Sequence, residues 1–185
     1  MKSETFNDEY MRKREYLIWR APMVGSAIQK ALQPMSVVDV GCSVGEFVKW
    51  FNENHIYSIG IDFSEDAYNR FKADKDAFWM IDMTEKNLVF QQEQEKFDLA
   101  ICFEVGGILE GATNKQRFAN NLSKLSNKML FAVGADFQPE WKRRFLKLGF
   151  TEDASIANQI RDKLEIYRTK PAIKAIYNGI MFFTK

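Results

Sequence analysis

The sequence predicts an α/β fold in which helices cover both faces of a mostly parallel β-sheet. Short apolar runs of strand-like composition alternate with segments whose apolar residues recur at helical spacing. This alternation is typical of a parallel sheet, because parallel neighbours need a crossover connection that a helix usually supplies. With 185 residues, of which 46% are apolar and 28% charged, the chain is expected to form one domain spanning 1–185.

Seven strands are predicted, and the first of them begins at Val37. They cover residues 37–40, 56–62, 77–82, 97–105, 128–135, 150–151 and 176–183. The first five are separated by crossover segments and should run parallel. The last strand follows a short sixth one and can therefore run antiparallel, at or near the edge of the sheet.

Helices are predicted between the strands, at 46–54, 64–71, 113–126 and 139–149. Ser64 suits an N-cap, because its hydroxyl can accept from a free backbone N–H of the first turn. Pro139 suits a first turn, because the N–H that proline lacks has no intrahelical acceptor there. Gly149 suits a C-terminal cap. The segments 85–96 and 156–167 are either helical or irregular.

A helical leader is predicted over 1–34, ahead of an α/β core at 35–185. Its helix runs from about residue 4 to residue 32 in two pieces, because Pro22 is tolerated in a first turn but not in a helix interior. Basic residues occur in the leader and again before the last strand. Either these residues flank an acidic or phosphorylated substrate, or they form solvated helix faces, and the second interpretation is favoured. The two basic groups are Arg12, Lys13, Arg14 and Arg20 in the leader, and Arg161, Lys163, Arg168 and Lys170 before the last strand.

The most informative stretch is 37–47, where an apolar run containing Asp39 leads into a glycine-rich turn. Gly41 and Gly45 follow the run, and a helical pattern starts directly after them. A glycine turn from a buried strand into a helix lets a ligand approach the backbone closely, and the helix N-terminus offers unpaired N–H groups. The alternative is a tight turn without a ligand.

This stretch, Asp-x-Gly-x-x-x-Gly after a strand, resembles the first motif of the class I S-adenosylmethionine-dependent methyltransferases. The usual form of that motif has a third glycine, which Ser43 replaces here. The resemblance implies a Rossmann-like three-layer sandwich with a seven-stranded, mostly parallel sheet and an antiparallel last strand. Members of the family often carry an N-terminal helical cap, so the leader is either such a cap or a helix packed on the sheet edge.

Candidate cofactor residues cluster at the predicted carboxyl ends of the strands, where open parallel sheets bind their ligands. Asp62 lies about 20 residues after Gly41, the spacing at which an acid meets ribose hydroxyls in nucleotide-binding folds. The resemblance assigns Asp62 to the ribose and Asp82 to the adenine amino group. The full set of expected cofactor-binding residues is Asp39, Gly41, Cys42, Ser43, Gly45, Asp62, Phe63, Asp82, Met83 and Phe103.

The individual roles within this set are expectations. Phe63 can pack on the adenine face, and Met83 can offer a backbone N–H to the adenine. Asp39 either orients the glycine turn or reaches the amino-acid part of the cofactor. Asp62 can alternatively do no more than cap the turn before Ser64, and Asp82 can be a strand-end acid without a ligand.

The segment that follows the fourth strand bears on catalysis. Many small-molecule members of the family read Glu-Val-x-x-His there, whereas this chain has Glu104, Val105 and then Ile108 at the histidine position. A general base at that position is therefore absent. Glu104 remains a catalytic candidate, with an acid that only ends the strand as the alternative, and no catalytic residue is assigned.

Other classes of site have little support in the sequence. His55 is the only histidine and precedes the second strand, away from the expected site, and the two cysteines are far apart, so no metal site is expected. A net charge of +1 gives no nucleic-acid signal. The first residues do not resemble a signal peptide, and no apolar run approaches the ~20 residues of a membrane span. A cytoplasmic location is expected.

The function that these observations favour is methyl transfer from S-adenosylmethionine to a small-molecule acceptor by in-line displacement. Because the methyl group leaves a sulfonium, aligning the reactants in a dry pocket can suffice without a visible catalytic triad. One alternative is a partner-binding module that keeps the fold without activity. A second is a nicotinamide-dependent oxidoreductase, which the glycine spacing disfavours. The acceptor and the oligomeric state are left open.

Overall fold

The computed structural model describes residues 7–86, 88–90 and 96–185. Its strands are β1 (Ser36–Val40), β2 (Tyr57–Asp62), β3 (Phe78–Met80), β4 (Leu99–Phe103), β5 (Lys128–Ala132), β6 (Thr151–Glu152) and β7 (Ile180–Thr184). They form one sheet of seven strands in the order β3-β2-β1-β4-β5-β7-β6. Strands β1 to β5 are parallel, and β7 runs antiparallel to both β5 and β6. The predicted sheet is therefore confirmed.

Helices cover both faces of this sheet. They are α1 (Asp8–Glu15), α2 (Ala21–Leu32), α3 (Glu46–Glu53), α4 (Glu65–Arg70), α5 (Ala112–Leu125), α6 (Gln138–Lys147), α7 (Ala154–Leu164) and α8 (Pro171–Gly179). Side chains of β1 alternate between two apolar clusters: Val38 packs with residues of α5 and α6, whereas Val37 packs with residues of α2, α3, α7 and α8. The result is a three-layer sandwich.

The leader forms two helices, as predicted. A 3₁₀ turn at Ile18–Arg20 separates α1 from α2, and Pro22 lies in the first turn of α2. Gln33 ends α2 in the left-handed conformation, at φ 46°. The predicted start at residue 4 lies outside the described residues, as does part of the segment 85–96.

The predicted last strand is wrong in its first half. Residues 176–179 belong to α8, and β7 begins only at Ile180. Ile173 and Ile176 are buried three residues apart, which is helical spacing, and Pro171 opens the helix. A Cβ on Gly179 would come within 2.5 Å of the carbonyl oxygen of Val133, so the end of α8 packs directly against the chain after β5.

The remaining differences concern where elements begin and end. β4 stops at Phe103 rather than at residue 105, because Glu104 takes a positive φ of 65° that a strand cannot continue. α7 begins at Ala154, where Asp153 accepts hydrogen bonds from the backbone N–H groups of Ser155 and Ile156. No described helix combines the length and the apolar character that crossing a lipid bilayer requires.

Candidate functional site

A cleft lies at the carboxyl ends of the central strands, bounded by the segments that follow β1, β2, β3 and β4. The cavity volume of this cleft is about 60 Å³. The total space between its lining atoms, including the part open to solvent, is about 640 Å³. A nucleoside would therefore have to widen it. The lining comprises Tyr10, Met11, Arg14, Val40, Gly41, Ser43, Ile61, Asp62, Phe63, Ile81, Asp82, Met83, Thr84, Phe103, Glu104, Val105, Ile108, Leu109 and Phe118.

The glycine turn after β1 has the backbone that its sequence suggests. Gly41 and Gly45 take φ values of +79° and +75°, and an added Cβ would lie 2.2 Å from Val105 or from the ring of Phe71. Ser43 also has a positive φ, 52°, and its backbone N–H donates to Asp62. Serine therefore adopts the conformation in which the family's motif has glycine, at a cost of about 1–3 kcal/mol of backbone strain.

Asp62 connects the glycine turn to the next helix. Its Oδ2 accepts from the N–H of Ser43 at 2.9 Å, and its Oδ1 accepts from the N–H of Ser64 at 3.1 Å. Burial raises the pKa of Asp62 above its ordinary value, and the backbone N–H groups oppose that rise. A carboxylate has about four lone-pair sites. Asp62 can therefore cap the turn and still accept from a ligand in the cleft that it lines.

The segment after β3 forms a second acidic wall of the cleft. Asp82 accepts from the backbone N–H of Thr84 at 2.8 Å and from its hydroxyl at 2.7 Å, which closes a tight turn. Met83 is buried and packs in the core on the α5 side of the sheet. Asn121 of α5 donates to the carbonyl oxygens of Met83 and Glu85, both at 3.0 Å. The acid is thus presented on a loop that is fixed from both sides.

Three of the expected cofactor residues do not line the cleft. Asp39 is buried, and burial, with the charge of Glu46 adding to it, raises the pKa of Asp39 well above its ordinary value. Cys42 is also buried, and its Sγ would be 2.6 Å from a Cβ on Gly60. Gly45 lies against Phe71. These residues support the turn from behind, whereas the other seven expected residues face the cleft.

A buried ion cluster joins the leader to the cleft. Arg20 is 1% exposed, and its guanidinium contacts Oε1 of Glu46 at 2.6 Å and Oε2 of Glu104 at 2.8 Å. Arg14 contacts the same Glu104 oxygen at 3.5 Å. The prediction that these two arginines are solvated is wrong, because each finds a carboxylate far away in the sequence. Arg12 is exposed, as predicted.

Glu104 is held as an anion by this cluster. Burial would raise the pKa of Glu104, but the guanidinium groups of Arg20 and Arg14 outweigh it and lower that pKa below its ordinary value. A carboxylate with a lowered pKa is a weak proton acceptor. The geometry therefore favours a role for Glu104 in holding the leader and shaping the cleft over a role as general base.

The part of the cleft beyond β4 is apolar. Phe103 ends the strand, and Val105, Ile108, Leu109 and Phe118 continue the wall. Ile108 is 42% exposed and offers no titratable group at the position where many family members have histidine. His55 lies before β2, at the opposite end of the sheet, with a φ of 61°. Among the residues described, no group of three His, Cys, Asp or Glu side chains is placed to hold a metal ion.

A cap over the site was one of two roles expected for the leader, but the sequence did not identify the leader residues that line the cleft. Tyr10, Met11 and Arg14 of α1 line it, and the hydroxyl of Ser43 lies 3.3 Å from the sulfur of Met11. Met11 is the only buried residue of α1, so the helix carries little periodic signal. Charge pairs hold α1 in place: Arg70 contacts Asp8 and Glu15, and Glu15 also contacts Lys72.

Comparisons with known proteins agree with this arrangement. A family model described as a methyltransferase domain matches residues 38–128. No curated protein sequence matches the chain significantly.

Solved structures of similar fold include the magnesium protoporphyrin IX methyltransferase of Synechocystis with bound S-adenosylmethionine. It is 15% identical, with a TM-score of 0.58 over 83% of this chain and 88% of that one. A TehB-like S-adenosylmethionine-dependent methyltransferase of Corynebacterium glutamicum is 16% identical, with a TM-score of 0.64 over 79% and 84%. The plantazolicin methyltransferase in complex with S-adenosylhomocysteine is 13% identical, with a TM-score of 0.56 over 96% and 88%.

At these identities the structural likeness concerns the fold. The matched segment of the family model, however, contains the glycine turn, Asp62, Asp82 and Phe103, all of which face the one cleft. On these grounds, residues 38–128 match a methyltransferase-domain family, and the chain has the fold of S-adenosylmethionine-dependent methyltransferases.

Proposed function

We propose that this protein is an enzyme that transfers the methyl group of S-adenosylmethionine to a small-molecule acceptor. The observation that carries the proposal is the convergence of the glycine turn, Asp62, Asp82 and Phe103 on one cleft at the carboxyl ends of the parallel strands. Ligands of open parallel sheets bind at this end. Because the cleft is narrow, its lining must widen when the cofactor enters.

The chemistry of the lining fits a cationic nucleoside. Asp62 has lone pairs left to accept from the ribose hydroxyls, and Asp82 can accept from an exocyclic amino group. Phe63, Ile81 and Met83 supply apolar surface beside these acids, which suits a flat base. Three carboxylates, Asp62, Asp82 and Glu104, face a cleft that Arg14 alone lines with a positive charge among the described residues.

When bound, S-adenosylmethionine would supply a methyl group on a positively charged sulfur that leaves readily. The residues of this chain would then bind the cofactor, orient its methyl group toward the acceptor and exclude water from the cleft. Tyr10 and Met11 of α1 cover the glycine turn, and Phe103 and Val105 form the wall beside it. Positioning of this kind can account for a large part of the rate enhancement.

A small acceptor with an apolar portion fits the remaining wall best. Val105, Ile108, Leu109 and Phe118 are apolar and continue from the end of β4. Two of the similar structures are named as methyltransferases of magnesium protoporphyrin IX and of plantazolicin. Because Glu104 is paired with two arginines, the acceptor atom should carry a free lone pair or release its proton to water. Both cysteines are unpaired and buried, which supports a cytoplasmic location.

Calorimetry tests the cofactor assignment. S-adenosylmethionine and S-adenosylhomocysteine should bind the wild type with micromolar affinity, and NAD should not bind. Asp62→Asn keeps the shape of the side chain but replaces one acceptor oxygen by a donor, and it should weaken binding about tenfold or more. Failure of all three ligands to bind would support a partner-binding module instead. If S-adenosylmethionine binds as expected, a screen of acceptors with a tritiated methyl donor would identify the substrate.

A further inference from the structure

We infer that Asn121, in the C-terminal half of α5, is a positioning residue for the adenine end of the cofactor. It is 2% exposed and does not line the cleft, but its amide Nδ2 donates to the carbonyl oxygens of Met83 and Glu85, both at 3.0 Å. The inference rests on the proposed function, because it takes the loop after β3 as the adenine site. It assigns a residue 38 positions away in sequence to that loop.

The surroundings of Asn121 show that its amide is there for the loop. The other buried residues of α5 are apolar: Phe118, Ala119, Leu122 and Leu125. A buried amide in such a face is unfavourable unless its hydrogen bonds are made. Both amide hydrogens of Asn121 are used on the loop backbone, and its Oδ1 accepts from Lys124 Nζ at 3.3 Å. The same lysine donates to the carbonyl of Leu88 at 2.7 Å.

The loop depends on this support because the sheet holds it weakly. β3 has three residues, lies at the edge of the sheet and, among the strands of the described residues, pairs with β2 alone. Beyond it, the loop closes on itself through Asp82 and Thr84. Asn121 connects this closed turn to a helix packed on the core. The position of Asp82 relative to the cleft is therefore set by α5 as well as by the edge strand.

One substitution separates this role from simple packing. Asn121→Asp keeps the shape of the side chain but places carboxylate oxygens against two carbonyl oxygens, which repel it and move the loop. Burial next to acceptors raises the pKa of a carboxyl group. At lower pH the side chain takes up a proton and regains one O–H donor, so part of the loop contact returns.

The control is Asn120→Asp, which makes the same change one residue earlier. Asn120 is exposed, and its side-chain oxygen accepts from Gln116. It adds the same charge to the same helix without touching the loop. Circular dichroism and thermal melting establish that each variant is folded. Should Asn121→Asp not fold, Asn121→Ser replaces it, because serine is smaller and leaves room for water to reach the two carbonyls.

The experiment measures binding of S-adenosylhomocysteine and of its inosine counterpart, in which an oxo group replaces the adenine amino group, at pH 8 and pH 6. We expect Asn121→Asp to bind S-adenosylhomocysteine about 10- to 100-fold more weakly than the wild type at pH 8. Part of the affinity should return at pH 6, and the preference for the adenine ligand should be reduced. Asn120→Asp should stay within about twofold of the wild type.

Two results would overturn the inference. A folded Asn121→Asp or Asn121→Ser variant with wild-type affinity and wild-type preference for adenine would show that Asn121 only packs. A wild type that binds neither ligand would remove the adenine site and the proposed function together. The first result leaves the proposed function standing, so the two failures are distinguishable.

Discussion

Replacing Arg20 by methionine should destabilise the fold strongly. The Arg20–Glu46 pair is buried, with both side chains 2% exposed and a contact of 2.6 Å, and Arg20 also holds Glu104 at 2.8 Å. Removing one partner of a buried ion pair costs about 3–5 kcal/mol, because the other charge is left without compensation. This is a large fraction of the 5–15 kcal/mol by which a typical domain is stable.

Urea unfolding at neutral pH measures the effect. With a slope of about 2 kcal/mol per molar urea, the midpoint of Arg20→Met should fall by about 1.5–2.5 M. Arg12→Met is the matched control, because Arg12 is also ion-paired in the leader but its side chain is 66% exposed. An exposed pair contributes about 0–1 kcal/mol, so the control should shift the midpoint by less than about 0.5 M.

A second variant tests the cause of the loss. Arg20→Met combined with Glu46→Leu removes the stranded carboxylate and should be more stable than Arg20→Met alone. A midpoint for Arg20→Met equal to that of the control would refute the reasoning, since it would mean that the buried pair does not form in solution.

Three further predictions concern the turn and the leader. Burial raises the pKa of Asp39 well above its ordinary value, so the unfolded chain loses this proton first as the pH rises. The free energy of unfolding of Asp39→Asn should therefore gain on that of the wild type from about pH 4 upward, by at most ~1.4 kcal/mol per pH unit. A difference between the two free energies, measured by urea unfolding, that stays constant with pH would contradict this. Gly41→Ala should lower the free energy of unfolding by at least ~2 kcal/mol and abolish binding of S-adenosylhomocysteine, since its Cβ would lie 2.2 Å from Val105. An unchanged melting temperature and unchanged binding by calorimetry would contradict this prediction. Arg70→Ala removes two ion pairs of α1, so trypsin should cut within α1 about 2- to 10-fold faster than in the wild type. An equal rate would show that these ion pairs do not hold α1 in place.

The cleft was predictable where its residues follow strand ends. Gly41, Asp62, Asp82 and Phe103 each stand directly at the close of an apolar run or just beyond it, and parallel strands bring those points to one edge. Local sequence carries this information, because strand, turn and helix succeed one another within a few residues. Even the substitution of Ser43 for glycine did not obscure it.

The residues that were missed make contacts between distant parts of the chain. Arg20 meets Glu46 across 26 residues and Glu104 across 84, and nothing in the neighbourhood of an arginine indicates such partners. The prediction of the last strand was wrong for a different reason. An apolar run such as 176–183 fits a strand and a buried helix equally well, and only the contacts of Ile173 and Ile176 with the core decide between them.

The arrangement of Arg20 also changes what the boundary near residue 34 means. That position divides helical leader from α/β core in the sequence, and a fragment trimmed there would retain all the strands that the structure describes. It would, however, keep Glu46 in the interior with its counterion deleted. The amino-terminal helices thus supply a counterion that the core needs. A chain shortened at residue 34 should therefore be an unstable protein rather than a stable smaller domain.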